Sequence, residues 1–268
     1  MTAPSIDQTP QGWDATVEDY DRFLTPFFAR FAEDALRLVG VQPGQRVLDV
    51  AAGPGTLALL AARQGAGVVA TDFAPAMIAR LRQRAGEAGM ANLTAEVMDG
   101  QALTLPDDSF DAAFSIFGLI FFPDRAAGFR ELHRVVRPGG KAAVAAWSAK
   151  ALNIGPIFAQ AVRRALPAPP TPAAPRAVMS LQDPEAFAGE MRAAGFARVE
   201  IQTVLHRREV PSAEVVWEAM RANPSAMARI PADQHAALSQ LFIEGVRAQF
   251  GAGPVPLEGE AHIGVGTK

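Results

Sequence analysis

Short apolar runs that end in an acidic residue alternate with helical stretches in the first half of the chain. Residues 47–50 form an apolar run that predicts a buried strand, with Asp49 near its end. A tight turn of small residues follows, and the stretch 57–63 is strongly helix-forming. The same order recurs at 67–72, where a second strand ends in Asp72 before the next helix. This alternation predicts an α/β protein with a parallel sheet.

The pattern continues toward the middle of the chain with two strands, a helix and a third strand. The first of these strands closes in Asp99, and a Pro-Gly-Gly sequence is expected to stop the helix. The predicted elements are a strand at 93–101, a turn at 105–111, a strand at 112–116, a helix at 125–136 and a strand at 142–147.

The two ends of the chain are mainly helical by pattern. Residues 1–12 are expected to be a loose lead-in, and Thr16 and Thr25 are candidate starts of two helices, the second ended by Gly40. The proline-rich stretch 167–172 reads as an extended connector. The C-terminal part predicts helices at 154–166, 183–194, 213–222 and 233–250, with strands at 198–210 and 261–266.

The turn after the first strand allows two interpretations. The spacing Gly53-x-Gly55-x-x-Ala58 matches the dinucleotide fingerprint, and Asp72 lies where an acid that binds ribose is expected. An NAD-dependent dehydrogenase is therefore one candidate. Glycines and a helix start serve other nucleotide ligands equally well, because backbone can approach closely and free N–H groups face the ligand. The turn alone leaves both interpretations open.

Four motifs in order favour the second interpretation. The stretch 47–55, Val-Leu-Asp-Val-Ala-Ala-Gly-Pro-Gly, resembles the first motif of class I S-adenosylmethionine (SAM)-dependent methyltransferases, with Ala51 in place of the usual first glycine. A strand ending in Asp99, the string Leu-Pro-x-x-x-Phe-Asp at 105–111 and Arg-Val-x-x-Pro-Gly-Gly at 134–140 are also similar to that family. The branch it most resembles includes the ubiquinone and menaquinone C-methyltransferases.

The resemblance implies a Rossmann-like, doubly wound sheet of seven mostly parallel strands, with a terminal antiparallel strand and a helical cap. Residues 1–44 would form an N-terminal helical segment that covers the cofactor site. Residues 45–268 would form the methyltransferase domain, with cap segments at about 151–180 and 211–256. Trp13 and Tyr20 would either help to close the pocket or only pack the next helix onto the sheet.

The same resemblance implies SAM as the cofactor and S-adenosylhomocysteine as its product. Asp72 would accept the ribose hydroxyls and Asp99 the adenine amino group, while Ser115 would lie beside the cofactor. The expected cofactor-binding residues are Asp49, Ala51, Gly53, Gly55, Asp72, Phe73, Met77, Asp99, Gly100, Gln101 and Ser115.

The amino-acid composition limits the classes of partner that we expect for the protein. The 268 residues carry a net charge of −3 without basic clusters, which argues against a nucleic-acid substrate. Cysteine is absent, which excludes thiol chemistry, and no metal-binding spacing occurs, so no metal is expected. The apolar run 112–122 is too short to span a bilayer and the start does not resemble a signal peptide. We expect a cytoplasmic monomer or homodimer that acts on a small molecule.

The catalytic residues are unknown from sequence, because methyl transfer can depend on alignment and exclusion of water alone. His206 and His235 are candidate general bases, whereas His133 and His262 are expected to be structural or at the surface. A group of large cap residues either lines the pocket, which would favour an apolar or aromatic acceptor, or only packs helices together. It comprises Phe158, Val162, Trp217, Met220, Met227, Phe242 and Phe250.

The prediction is therefore methyl transfer from SAM to a small, apolar or aromatic acceptor at an O, N or C atom. A SAM-binding protein that does not transfer the methyl group is an alternative, because fold does not settle reaction. An NAD-dependent dehydrogenase is a remote alternative.

Overall fold

A seven-stranded mixed sheet is the centre of the computed structural model, which describes residues 5–166, 179–228 and 230–268. Its strands are β1 (Arg46–Val50), β2 (Gly67–Asp72), β3 (Leu93–Val97), β4 (Phe110–Ile116), β5 (Val136–Leu152), β6 (Arg198–Val210) and β7 (Val255–Thr267). The strand order is β3-β2-β1-β4-β5-β7-β6. Neighbours from β3 to β5 are parallel, and β7 is antiparallel to β5 and β6. The predicted fold class is confirmed.

Helices connect the strands, and 3₁₀ and π-helical turns supplement them. The α-helices are α1 (Pro10–Asp14), α2 (Val17–Asp19), α3 (Thr25–Val39), α4 (Thr56–Arg63), α5 (Pro75–Glu87), α6 (Arg125–Val135), α7 (Gly155–Ala165), α8 (Pro184–Ala193), α9 (Ala213–Arg221), α10 (Pro224–Met227) and α11 (His235–Phe250). A π-helical turn covers Tyr20–Leu24, and 3₁₀ turns cover Ile6–Gln8, Leu119–Phe121 and Ala232–Gln234.

The order in which the chain adds strands to the sheet reverses between β1 and β4. From β1, the chain order runs outward through β2 and β3 on one side and through β4 and β5 on the other. In open α/β sheets, ligands bind outside the carboxyl ends of the strands at such a switch point. The expected position of a site is therefore the end of β1, where the glycine turn begins.

Several element boundaries differ from the predicted ones. The strand predicted at 142–147 begins at Val136, because the Pro-Gly-Gly sequence lies inside β5 beside a shift in its pairing with β4. Helix α6 has already ended there, at Val135, so Pro-Gly-Gly is not its stop. The last strand begins at Val255 rather than 261, since it pairs with β6 along its whole length.

The N-terminal residues are more ordered than predicted. The expected loose lead-in contains a 3₁₀ turn and helix α1, whose start is capped by the Thr9 hydroxyl accepting from the backbone N–H of Gly12 at 3.4 Å. Helix α3 ends at Gly40 as predicted, with a left-handed φ of 79°. The connector predicted at 167–172 lies outside the described residues.

Candidate active site

A cavity of about 270 Å³ lies at the switch point. Its wall includes many of the residues predicted from sequence, namely Ala51, Gly53, Asp72, Phe73, Met77, Asp99, Gly100 and Gln101. A second group of lining residues was not predicted from sequence, namely Gln8, Met98, Ile116, Phe117, Gly118, Phe121, Phe122 and Pro123. Most of these follow β4, so the rule that strand ends line the site, applied to β4, was the signal that would have found them.

Asp72 joins the glycine turn to the start of α5. Its Oδ2 accepts from the backbone N–H of Gly53 at 2.8 Å, and its Oδ1 accepts from that of Ala74 at 2.9 Å. The side chain is only 6% exposed, and this burial raises the pKa of Asp72 to about 6. The two hydrogen bonds act in the opposite direction and lower the pKa. Each carboxylate oxygen keeps a further lone pair, so a ligand in the cavity can still donate to it.

Asp49 does not reach the cavity. Its Oδ2 accepts from the backbone N–H of Ala58 at 3.0 Å, which holds the first turn of α4 against β1. Burial raises the pKa of Asp49 to about 8, opposed by this hydrogen bond. In this structure Asp49 therefore orients the glycine turn and does not line the cavity.

Gly55 also lies behind the cavity wall. It has a φ of 89°, and a Cβ added there would lie 2.7 Å from Cγ of Leu81 in α5. Glycine is required twice over, for its backbone conformation and for the close approach of α5. Like Asp49, Gly55 contributes to the conformation of the turn without lining the cavity.

The third predicted residue that does not line the cavity is Ser115. Its hydroxyl accepts from the backbone N–H of Leu119 at 3.0 Å and is fully buried. This bond closes the turn after β4, where Phe117 has a left-handed φ of 58°. Such a conformation is strained for a bulky residue, and its ring is held by Phe28 at 5.0 Å and Trp147 at 4.5 Å between centroids. Ser115 thus supports the residue that does form the wall.

Asp99 and Gln101 form a small polar edge of the cavity. The Oδ1 of Asp99 accepts from the backbone and the side-chain amide of Gln101, at 2.9 and 3.0 Å. Gln101 in turn accepts from the backbone N–H of Asp124 at 2.7 Å. Since the Asp99 side chain is exposed, it retains free acceptor capacity toward the cavity.

Trp13 and Tyr20 line the cavity from the N-terminal side. Their ring centroids are 6.0 Å apart, and Trp13 also lies 5.1 Å from Phe121. Burial raises the pKa of the Tyr20 hydroxyl above its ordinary value, with a further contribution from Asp72. This hydroxyl has no hydrogen-bond partner within the described part of the chain, so it is available to a ligand.

The histidines lie elsewhere. His206 binds Asp34 at 2.7 Å between Nε2 and Oδ2, and His235 binds the carbonyl oxygen of Ile230 at 3.1 Å. His262 is 6% exposed and lies between Thr203 and the carbonyl of Gln182, and the His133 ring packs on Phe196. Of residues 5–166, 179–228 and 230–268, no His, Lys or Arg lines the cavity. The proposed bases His206 and His235 are therefore not at this cavity.

The large cap residues pack against one another. Phe242 is fully buried, with Phe158 at 5.8 Å and Trp217 at 5.9 Å between ring centroids. None of the cap residues named from sequence is among the residues of the cavity wall. Of the two interpretations, packing between helices is the one that the contacts support.

The described residues provide neither a metal-binding cluster nor a membrane-spanning helix. Those residues include no group of three or more His, Cys, Asp and Glu side chains that could hold a metal ion. None of the helices described is long and apolar enough to cross a membrane.

Comparison with known proteins identifies the family. A family model described as a methyltransferase domain matches residues 47–140. The demethylmenaquinone methyltransferase of Corynebacterium glutamicum is 33% identical over 198 residues, which cover 70% of this chain and 79% of that protein. An uncharacterized protein of Mycobacterium tuberculosis is 40% identical over 130 residues, 48% of this chain and 47% of that protein. The chain thus spans about half the length of this mycobacterial relative.

A solved structure matches the fold along most of the chain. Phosphoethanolamine N-methyltransferase 2 of Haemonchus contortus, in complex with phosphomonomethylethanolamine and S-adenosylhomocysteine, superposes with a TM-score of 0.61 at 17% identity. The match covers 96% of this chain and 58% of that one. The chain belongs to the class I SAM-dependent methyltransferases. The family predicted from the four motifs is confirmed, and the methyltransferase interpretation of the glycine turn prevails over the dehydrogenase.

Proposed function

We propose that the protein transfers the methyl group of SAM to a small molecule with an apolar or aromatic face. One observation carries this proposal: a cavity at the switch point combines two acids, Asp72 and Asp99, with a wall of aromatic rings. Aromatic and apolar walls with a few polar groups are typical of small-molecule sites. The family match identifies SAM as the cofactor.

The two acids suit the two ends of an adenosine. Asp72, at the end of β2, would accept hydrogen bonds from ribose hydroxyls, because it lines the cavity beside Gly53 and its oxygens keep free lone pairs. Asp99, after β3, would accept from the adenine amino group, with Gly100 and Gln101 at the edge of the base. Ala51, Phe73 and Met77 complete this wall. Asp49, Gly55 and Ser115 would act through the backbone they hold.

The charges of the wall limit the acceptor. Acids but no cationic side chains line the cavity within the described ranges, so a carboxylate or phosphate on the acceptor would have no counter-charge there. The demethylmenaquinone methyltransferases among the relatives fit this limit, since the reduced, hydroquinone form of a quinone has an aromatic and uncharged ring. We therefore favour an uncharged aromatic acceptor over an anionic one.

Bound SAM supplies an electrophilic methyl group on a positively charged sulfur. Transfer would form a bond between the acceptor atom and that methyl carbon as the carbon–sulfur bond breaks, and S-adenosylhomocysteine would leave with both electrons of the broken bond. The protein's contribution would be alignment and exclusion of water by Trp13, Tyr20 and Phe117. The described wall offers no histidine or lysine to take the proton that the acceptor loses, so that proton would pass to Asp72, Asp99 or solvent.

The test is transfer of a labelled methyl group. The protein is incubated with methyl-labelled SAM and a panel of reduced naphthoquinones, phenols, amines and carboxylates, and products are separated by mass. We expect label in an uncharged aromatic product and none in the carboxylates. Label in the carboxylates alone would contradict the acceptor class. Binding of S-adenosylhomocysteine without any labelled product would favour the alternative, a SAM-binding protein that does not transfer methyl.

A further inference from the structure

The aromatic residues that the N-terminal lid (residues 5–24) presents to the cavity are each followed by an aspartate. Trp13 precedes Asp14, and Tyr20 precedes Asp21. The Oδ1 of Asp14 accepts from the backbone N–H of Ala76, in the first turn of α5, at 2.8 Å. Asp21 is bound to the same helix further along. Helix α5 therefore holds both rings over the cavity.

Asp21 is the more strongly held of these two acids. Its Oδ2 accepts from Nε of Arg80 at 2.8 Å, and its Oδ1 lies 2.9 Å from Nη1 of Arg84. Only 10% of the Asp21 side chain is exposed. A carboxylate with two guanidinium partners and little access to water is costly to separate from either of them. The lid is anchored here, directly beside Tyr20.

Arg84 also reaches the glycine turn. The Nη1 atom that faces Asp21 donates to the carbonyl oxygen of Pro54 at 2.7 Å. Pro54 stands between Gly53 and Gly55, both of which have left-handed φ angles. One nitrogen atom thus joins the lid to the turn that the family uses for its cofactor.

Arg80 lacks this connection. Its other recorded hydrogen bond goes from Nη1 to Oε1 of Gln83, on the same helix, at 3.0 Å. The two arginines therefore share Asp21 as a partner but differ in whether they contact the turn. This difference provides a matched pair for experiments.

We propose that Arg84 is a positioning residue that couples closure of the lid to the conformation of the glycine turn. With the lid closed, Asp21 holds the guanidinium where Nη1 binds the Pro54 carbonyl. When the lid opens to exchange ligand, Arg84 loses its counter-charge and the turn loosens. A ligand that favours the closed lid thereby orders the turn as well, which is a coupling between two elements.

The direct test is hydrogen exchange of the ligand-free protein, which does not depend on the proposed function. In Asp21→Asn and in Arg84→Lys, we expect the amides of residues 51–53, 55 and 56 to exchange about tenfold faster. Arg80→Lys should leave those amides within about twofold of the wild type, because Arg84 still bridges. Unchanged exchange at 51–56 in Asp21→Asn, with faster exchange confined to the lid, would overturn the coupling.

A second measurement uses S-adenosylhomocysteine as the probe and therefore rests on the proposed function. We expect Asp21→Asn and Arg84→Lys each to weaken binding by about tenfold, with the double variant little worse than either. If the fold loss of affinity in the double variant equals the product of the two single losses, the two residues act separately. That result would overturn the proposal. Glu185→Gln, which removes an ion pair with Arg192 on α8, is the control for loss of a surface charge. Thermal melts show whether each variant is folded.

If the wild type does not bind S-adenosylhomocysteine, the proposed function fails on its own. The exchange experiment still decides whether Arg84 couples the lid to the turn. Restoration of binding by Asp21→Glu, whose carboxylate can still pair with the arginines, would support a charge-dependent role. Equal loss in Asp21→Glu and Asp21→Asn would contradict that role.

Discussion

The Cβ of Ala51 fills the space that any side chain at Gly118 would need. A Cβ built on Gly118 would lie 2.4 Å from that methyl carbon, well inside contact distance. Ala51 follows β1 and Gly118 follows β4, so the two meet at the switch point, and both line the cavity. Ala51 has a φ of 56°, a conformation that favours glycine. An alanine at one strand end thus requires a glycine at the other.

This relationship predicts a compensating pair of substitutions. Gly118→Ala should lower the free energy of unfolding by about 1–3 kcal/mol, because its methyl overlaps that of Ala51. Ala51→Gly should recover much of this loss in the double variant, and by itself relieve a left-handed alanine. Chemical denaturation of the four proteins measures the cycle. Additive effects of the two substitutions would show that the residues do not compete for space.

A second prediction separates backbone strain from crowding in the glycine turn. Gly44 and Gly55 have φ angles of 82° and 89°, but a Cβ on Gly44 meets nothing within 4 Å, whereas one on Gly55 meets Leu81. Gly44→Ala should cost about 1–2 kcal/mol from conformation alone. Gly55→Ala should lower the free energy of unfolding by more than this and should also weaken the binding of S-adenosylhomocysteine. Equal loss of stability with unchanged binding would argue that Gly55 is needed only for its φ.

The third prediction concerns Asp72 as a ligand residue. Asp72→Asn keeps one of the two acceptor oxygens that bind Gly53 and Ala74, replaces the other with an NH2 group and loses the charge, so the affinity for S-adenosylhomocysteine should fall by ~1.5–3 kcal/mol. Asp111→Asn is the matched control, since Asp111 also accepts from a backbone N–H, that of Arg46, but does not line the cavity. Calorimetric titration gives both affinities. An Asp72→Asn protein that is folded and binds normally would remove Asp72 from the cofactor site.

The buried acid Asp49 predicts a pH dependence of stability. Its pKa is raised to about 8 by burial, so the folded state binds a proton that the unfolded state releases near pH 4. Its contribution to stability is therefore fully present below pH 4 and is lost as pH rises to about 8. Relative to the wild type, Asp49→Asn should gain stability across that range and level off above it. A difference that does not change with pH would contradict a protonated Asp49.

The sheet was predictable because the ends of its strands are marked in the sequence. Each parallel strand from β1 to β3 ends at or near an acid, and two of those acids, Asp72 and Asp99, line the cavity. The roles of Asp49 and Ser115 were not predictable, because a buried oxygen facing a backbone N–H cannot be distinguished by sequence from one facing a ligand. The cofactor contacts of all the predicted site residues remain predictions.

Apart from Gln8, the lining residues missed by sequence are apolar. Phe117, Phe121 and Phe122 look like ordinary core residues in the sequence, and only the left-handed turn after β4 directs them to the cavity. The sequence left two interpretations open for the cap, because the positions of Phe158 and Trp217 suit a pocket wall or a helix interface. The structure shows both packed against Phe242. Apolar side chains carry no directional signal, so their partners follow from the three-dimensional arrangement of the helices.

The central claim is that the cavity between the lid and the glycine turn is a SAM site. Calorimetric titration of the full chain with S-adenosylhomocysteine, with NAD in a parallel titration, tests it most directly. We predict one site per chain with a Kd on the order of micromolar and no heat from NAD. An absence of S-adenosylhomocysteine binding by folded protein, or binding of NAD in its place, would contradict the account.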